Sequence, residues 1–450
     1  MAPTTVCARA NATLFICDSC LNTFRPPLSS HLRVVKYHST ISARDYSILP
    51  SPRSSKTLSH ISPRVTTPRT SRPILPIQTR RRYTTDVTTP THPPLASKGL
   101  APLQNRRLIS LSGLDAAKFL QGLITNNVDP SRTSSFYCAF LNARGRVLCD
   151  AFIWVLPEAE WACYIEVDGE EAEILLKHLK RHKLRSKISI SMVPNNLVGV
   201  WAAWGFEEDQ LQDPSLIASL PDPRAPGFGV RCLFQGNQDL SGEKANPPFP
   251  ILETEQYHIR RYLHGIPEGS KEIQREGALP MEFNFDLSSG IDFKKGCYVG
   301  QELTIRTKHT GVVRKRILPV QLYRAGDSVS AENTGPRFDP TWTVGEVLES
   351  GTDIKPLPAY ADAKRVRATG KFIAGIGNVG LALCRLEMMT DMRISNEGGS
   401  WKPDSEFIVQ SVEGTENFVR IKAVVPQWLK EREKAVWNKE RTGAKTADID

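Results

Sequence analysis

The start of this chain has almost no acid. Residues 1–98 hold 14 lysines and arginines but only three acids, Asp18, Asp45 and Asp86, leaving a charge of +11. The remainder carries 44 basic and 45 acidic residues, so the net +10 of the 450-residue chain belongs to its first segment. A near-neutral body argues against a nucleic-acid partner, because phosphate neutralisation needs a basic folded face. Long apolar runs are missing too. The longest, Leu197–Phe206, is ten residues and includes Gly199 and Gly205, short of the roughly 18 of a spanning helix, so no membrane span is expected. Closely spaced cysteines are absent from the body. Cys138, Cys149, Cys163, Cys232, Cys297 and Cys384 form no C-x-x-C pair, which excludes a local zinc or iron–sulfur cage. Cys17-x-x-Cys20 stands in the first segment, with no second pair at zinc spacing.

Residues 1–98 contain 28 serines and threonines and 12 prolines among scattered arginines. Basic, Ser-rich, acid-poor composition is that of a mitochondrial transit segment followed by a disordered linker. Arg81-Arg82-Tyr83 places an arginine three residues before a cut after Tyr83, and an earlier candidate lies near His38. Unpaired thiols in the body fit the reducing mitochondrial matrix.

The body, about 350 residues, is long enough for two or three domains. Leu108–Leu111 reads as a strand, and Ser112-x-x-Asp115 has the spacing of a capping box. The spacing of Phe119, Leu120, Leu123 and Ile124 predicts a helix over 115–126. Phe136–Leu141 and Val147–Val155 read as two strands joined by a hairpin at Asn142–Arg146, turned by Gly145. On the second strand, Leu148, Asp150, Phe152 and Trp154 share a face by the period of two. A carboxylate in such a row either pairs with a buried donor or lines a pocket. Residues 169–184 read as a helix with Ile174, Leu175 and Leu179 inward. His178 and His182 stand at i,i+4, but among lysines and arginines that would repel a cation, so a solvated flank is expected there. Strand runs alternate with helices to about Leu233. After residue 311 come short β runs, Val312–Leu322, Trp342–Leu348, Gly380–Leu386, Phe407–Gln410 and Phe418–Val425, which read as a small antiparallel β domain. The expected division is 99–310, 311–426 and a charged tail, 427–450, that opens with a short helix.

The densest chemical signal is Lys294-Lys295-Gly296-Cys297-Tyr298-Val299-Gly300-Gln301-Glu302. A thiol works as the thiolate, and adjacent ammonium groups and a helix start near Tyr298 would favour it. Gly296 and Gly300 open space on either side. Arg306, Lys308, Arg314, Lys315 and Arg316 follow as a cationic surface.

Lys295-Gly-Cys297-Tyr-Val-Gly-Gln301-Glu302 resembles the K-G-C-Y-x-G-Q-E motif of the YgfZ family, iron–sulfur assembly factors related to the T-protein of the glycine cleavage system. Arg261–Glu268, Leu279–Glu282, Gly311–Arg316, Phe119–Gly122, Gly145–Leu148, Asp222–Arg224 and Gly380–Ala382 match in the expected order. With the transit segment, the chain is similar to the eukaryotic mitochondrial branch of that family in its fungal form. The resemblance implies an α/β (α+β) fold. Its parts would be a folate-binding, aminomethyltransferase-like domain of two or three subdomains and a C-terminal antiparallel β-barrel. It implies late maturation of mitochondrial 4Fe–4S proteins with A-type scaffold partners, the clients being aconitase and lipoate- or biotin-making radical enzymes. Cys297 would be the working residue with Lys295 beside it, and a transient iron–sulfur cluster would be shared between Cys297 and a partner. Tetrahydrofolate would meet Asp150, Tyr298, Gln301, Glu302, Arg306 and Arg314. Two departures weigh against one-carbon transfer. The Asp-Asp pair of the aminomethyl-transferring relatives reads Cys149-Asp150 here, and the stretch Asp222–Arg231 has no G-Y-T-G-E.

Three functions are therefore in competition. The first is an assembly factor without turnover. The second is a folate-dependent transferase with Asp150 as acid and base. The third is a thiol enzyme, with Cys297 activated by His258, His264 or His309. The targeting assignment has a direct test. A reporter fused to residues 1–98 is expected to enter mitochondria and to be shortened there, as read by fractionation and gel mobility; a full-length cytosolic reporter would refute it.

Overall fold

A computed structural model describes residues 92–438, less 158–159, 206–210, 212, 237–249, 325–334, 343–347, 358–366, 395–397 and 411–417. All of them fall in one compact unit, Thr84–Asp450. Residues 1–91 of the expected transit segment and linker, with both cleavage candidates, and most of the Trp342–Leu348 run lie outside the described residues. The end of the expected disordered linker is instead packed: His92 Nδ1 lies 2.7 Å from Glu255 Oε1, and Trp204 Nε1 donates to Ala96 O at 3.1 Å.

Two antiparallel sheets face each other across a shared core. The first comprises β1 (Gly99–Pro102), β7 (Val198–Trp204), β8 (Leu216–Pro221) and β9 (Val230–Gln235), in the order β1-β7-β9-β8. The second comprises β2 (Arg106–Ser112), β3 (Phe136–Leu141), β4 (Val147–Leu156), β5 (Ala162–Asp168) and β6 (Ser189–Met192), in the order β3-β4-β5-β2-β6. Alternation assigns the faces. Tyr137, Ala139, Phe152 and Trp154 of the second sheet meet Val200, Ala202 and Leu233 of the first. Their neighbours Cys138, Phe140, Ala151 and Ile153 turn to the other side, with helices α1 (Ala116–Gln121) and α2 (Gly169–His182). Strands covered on both faces read as continuous apolar runs, as these do. Leu148 leaves the expected face because β4 bulges there: Phe140 pairs with Cys149, but Leu141 pairs with Val147.

Several expectations are corrected. α1 stops at Gln121 and not at residue 126, and the chain turns at Gly122 so that Ile124 bridges to Phe140. Asp115 makes no side-chain cap bond; its Oδ2 accepts from the Lys187 amide at 2.7 Å. α2 ends at His182 and leaves Ile174 exposed while Leu175 and Leu179 are buried. From residue 189 to 235 the described elements are strands only.

After α3 (Thr254–His264) and α4 (Gln301–Thr310), six strands close a barrel in the order β10-β13-β12-β11-β14-β15. These are β10 (Lys315–Tyr323), β11 (Asp353–Pro356), β12 (Gly370–Ile376), β13 (Val379–Arg385), β14 (Phe407–Gln410) and β15 (Phe418–Ala423). Closure leaves no free edge, because β10 bonds to both β13 and β15. Leu318, Val320, Ala382, Cys384 and Ile421 fill the interior. Ile317, Val379 and Leu381, on the outside of the barrel, join the core between the sheets, so barrel and body share apolar packing. The short helix α5 (Leu386–Met389) follows β13, and α6 (Gln427–Glu433) continues into a π turn at Lys434–Asn438 that returns to the body. There Trp437 donates to Asp286 at 3.0 Å.

Candidate functional site

The stretch Ser289–Gly300 wraps around the turn that ends α1. Thr125 Oγ1 donates to Gly290 O at 2.6 Å, Asn126 Nδ2 to Ser289 O at 2.8 Å, and the Asp292 amide to Thr125 O at 3.0 Å. Lys295 fastens the centre. Its Nζ donates to the carbonyls of Gln121, Ile124 and Asn126 at 2.8, 2.7 and 2.8 Å and lies 4.9 Å from the Tyr298 ring. The last carbonyls of a helix and the turn beyond it need donors, and an ammonium supplies three. Burial pulls the Lys295 pKa down to about 8. Four residues on, the Val299 amide donates to Gly122 O at 3.0 Å.

The far side is set by two glycines in the left-handed region, Gly145 at φ +76 and Gly300 at φ +80. A Cβ on Gly145 would lie 2.8 Å from Leu303 Cβ and 3.0 Å from Gly300 O, and one on Gly300 would strike Asn142 O. The expected hairpin therefore docks on the start of α4, and only glycine lets the two backbones approach. Gly300 is the N-cap and the helix begins at Gln301, later than expected. Gln301 Oε1 accepts from the Tyr298 amide at 3.1 Å.

Between these fixed points Cys297 stands exposed, while Cys138, Cys149, Cys163, Cys232 and Cys384 are buried. A Cβ added to the preceding Gly296 would meet nothing within 4 Å. Burial raises the thiol pKa of the other five wherever a shift is resolved, which holds for Cys138, Cys149, Cys163 and Cys384. The arrangement presents one accessible sulfur on a loop held from three directions. Lys295 is a positioning residue here, since its three N–H bonds go to carbonyls; Lys294 is exposed.

The other expected site residues do not gather in one pocket. Asp150 is sealed in the core, where Oδ1 accepts from the Gly269 amide at 3.0 Å and Oδ2 lies 3.4 Å from Arg106 Nη1. It is the donor-paired carboxylate of the two readings above. Tyr298 is buried, whereas Glu302, Arg306 and Arg314 are exposed. The cationic surface is also smaller than expected. Arg316 is fully buried and doubly bonded to Asp286 at 2.9 Å, Lys308 donates to Val436 O, and Lys315 pairs with Glu282 at 3.2 Å. Of the candidate bases, His258 Nδ1 accepts from Arg261 and His264 Nδ1 donates to Arg260 O. His309 lies about 12 Å along α4 from its start. None is placed as a partner for the thiol.

Sequence reasoning missed a buried charge network between the two sheets. Glu166 receives Arg106 Nε at 2.8 Å, Trp154 Nε1 at 3.0 Å and Arg231 Nη2 at 2.5 Å. Arg231 and Arg224 both reach Glu268, at 2.9 and 2.8 Å, Arg224 also holds Asp222, and Tyr257 Oη bonds to all three of Arg224, Arg231 and Glu268. Burial alone would raise Glu268, but Arg231, Arg224 and Arg106 hold it well below the usual carboxylate range. Four buried polar atoms here have no hydrogen-bond partner: Arg106 Nη1 and Nη2, Asp150 Oδ2 and Glu268 Oε1. The signal in the sequence was a charge inside an apolar strand, Glu166 in β5 and Arg231 in β9.

Relatives agree with this picture. Residues 314–431 match the family model described as the CAF17 C-terminal beta-barrel domain. An iron–sulfur cluster assembly factor IBA57 homolog, mitochondrial, of Phaeosphaeria nodorum is 51% identical over 351 residues, covering 76% of this chain and 83% of the relative. The chain belongs to the IBA57 family. Homologs of the same name from Aspergillus oryzae and Neurospora crassa are 44% and 42% identical, covering 79% of this chain and 86% and 85% of theirs. Membership makes this IBA57-family chain a mitochondrial protein. The glycine cleavage system aminomethyltransferase T of Bartonella henselae superposes with a TM-score of 0.50 at 11% identity, covering 75% of this chain and 88% of that one, and shows the same fold. The expected aminomethyltransferase-like body and C-terminal barrel are both present.

The loop analysis separates two neighbouring lysines. Lys295→Met should cost about 2 kcal/mol of stability, because three carbonyls lose their donor. Lys294→Met should change it by less than about 0.5 kcal/mol. Urea unfolding of both variants against the parent checks the contrast, and equal midpoints would refute the clamp.

Proposed function

We propose that this protein acts in late maturation of 4Fe–4S proteins in the mitochondrial matrix, holding a cluster jointly with a partner through the Cys297 thiolate. The observation that carries this reading is the exposed Cys297 on a pinned loop, with open space at Gly296, while the other described cysteines are buried. A soft thiolate suits iron. Binding exchanges the thiol proton, released to water, for an Fe–S bond, without electron transfer. One thiolate is too few for a four-cysteine site, and among the described residues no group of three or more metal-ligating side chains exists. The remaining ligands therefore come from the partner, for which A-type scaffold proteins are the class the family points to. Clients are aconitase and the radical enzymes that make lipoate and biotin. Cys297→Ser should melt like the parent and fail to restore aconitase activity and protein lipoylation in a strain lacking the native protein. Full rescue by the folded variant would remove the thiol from the function.

A second reading rests on the buried polar atoms of Arg106, Asp150 and Glu268 that make no hydrogen bond. Carboxylate oxygens and a guanidinium suit the amino-pyrimidinone edge of tetrahydrofolate, which offers N–H donors beside one carbonyl acceptor. Bound there, the folate would supply a carrier for one-carbon units; Asp150 and Glu268 would accept from its ring and Arg106 would donate to its carbonyl. Exposed Arg314 would be a cation for a glutamate tail. Calorimetry with tetrahydrofolate should show saturable binding weakened by salt, and the absence of heat at millimolar ligand would end this reading.

A further inference from the structure

The Cys297 loop occupies one end of α1, and the opposite end opens on a cleft that the cluster reading does not use. The cleft has a volume of about 660 Å³ and is lined by Asp115, Lys118, Phe119, Leu184, Arg185 and Ser186. Of the lining residues Leu184 stands in solvent at 88% exposure, and Leu114, next to Asp115 in the chain, is exposed at 71%. Leu184 also has φ +44, a left-handed conformation that a leucine adopts at a cost and glycine or asparagine would not. An apolar side chain that is both unburied and strained contributes little to folding, and such outliers concentrate at binding sites.

The charge around it is of one sign. Residues 177–187 contain six lysines and arginines and no acid. Among the described residues none of the six forms an ion pair, and Asp115, the acid lining the cleft, is engaged by the Lys187 amide. Lys118 adds a cation across the cleft. The pattern expected from sequence was a solvated flank; the fold instead sets part of it along a concavity with an apolar wall.

We propose that this cleft docks an acidic segment of a partner protein, seating one apolar side chain against Phe119 and Leu184 with carboxylates facing Lys118 and Arg185. A cleft walled by Phe119 and the exposed Leu184 favours an inserted side chain over a flat lipid surface, and the uncompensated cations select acid. The proposal rests on the cluster-sharing reading for its purpose. The six residues of α1 span about 9 Å, so the cleft and the Cys297 loop flank one short helix.

Fluorescence anisotropy with the full chain tests it. The probes are a synthetic peptide of about a dozen residues with Asp and Glu around a central Leu-Phe, the same peptide with Ser-Ser at its centre, and vesicles of phosphatidylcholine and phosphatidylglycerol in equal parts. The Leu-Phe peptide should bind, release as salt rises, and bind about tenfold more weakly to Arg185→Glu and to Leu184→Gly. Leu184→Gly should melt no lower than the parent, because glycine takes that backbone without strain; a contact serving only the fold would not weaken binding while sparing stability. Cys297→Ser should bind the peptide like the parent. The two readings thereby fail separately: peptide binding with full rescue by Cys297→Ser removes the cluster role alone, and no peptide binding with a required Cys297 removes the cleft alone. Equal binding of the Ser-Ser peptide, unchanged binding by both cleft variants, or binding to the vesicles with none to the peptide would overturn the proposal.

Discussion

Glu166 is the constraint on which the two-sheet body depends. It is fully buried, and no single partner could offset removing its charge from water. Three donors converge on it instead: Arg106 from β2, Trp154 from β4 and Arg231 from β9 of the opposite sheet. Each guanidinium then needs more carboxylate, which draws in Asp150 and Glu268, and Glu268 brings Arg224 with Asp222. The sheets can pack only in the register that satisfies this set. A slip of one residue would turn the charges outward and leave partners stranded. Specificity of arrangement is what such a network provides, since apolar groups of equal volume often give equal stability.

The Cys297 loop is assembled by another use of the same rule, that buried polar groups must be met. The end of a short helix leaves carbonyls without donors. Lys295 and the Val299 amide answer them, and in doing so fix the residues on either side of Cys297. The glycine pair 145 and 300 closes the other flank by contact of backbone with backbone. A sulfur intended for an external ligand gains from this. It stays accessible while its loop is held, so little conformational freedom is lost when a partner arrives.

Much of this was legible in the chain. Charge asymmetry marked residues 1–98 off from the body, and apolar, β-rich runs bounded by turn signals located β3, β4, β14 and β15 nearly to the residue. Those signals are local, so the sequence states them directly. Spacing also singled out Cys297 among six body cysteines. It misjudged Lys295, which read as an ammonium favouring the thiolate, and Arg316, which read as part of a cationic surface. Both are consumed by groups distant in sequence, three carbonyls near residue 124 and the carboxylate of Asp286. Whether a charge faces water or a buried acceptor depends on what folds against it, and no window of neighbouring residues contains that.

The sequence by itself determined the class of strands and helices, the presence of a β-rich C-terminal part and the position of the reactive motif, because each follows from hydrophobic period or from side-chain chemistry at short range. Only the tertiary structure decided that the hairpin at Gly145 meets Gly300, that Lys295 is a clamp, that Asp150 is sealed beside Arg106, and that Leu184 stands strained at the mouth of a cationic cleft. Each of those depends on pairing between segments tens to hundreds of residues apart, set by the collective burial of apolar faces and the need to satisfy every charge caught between them.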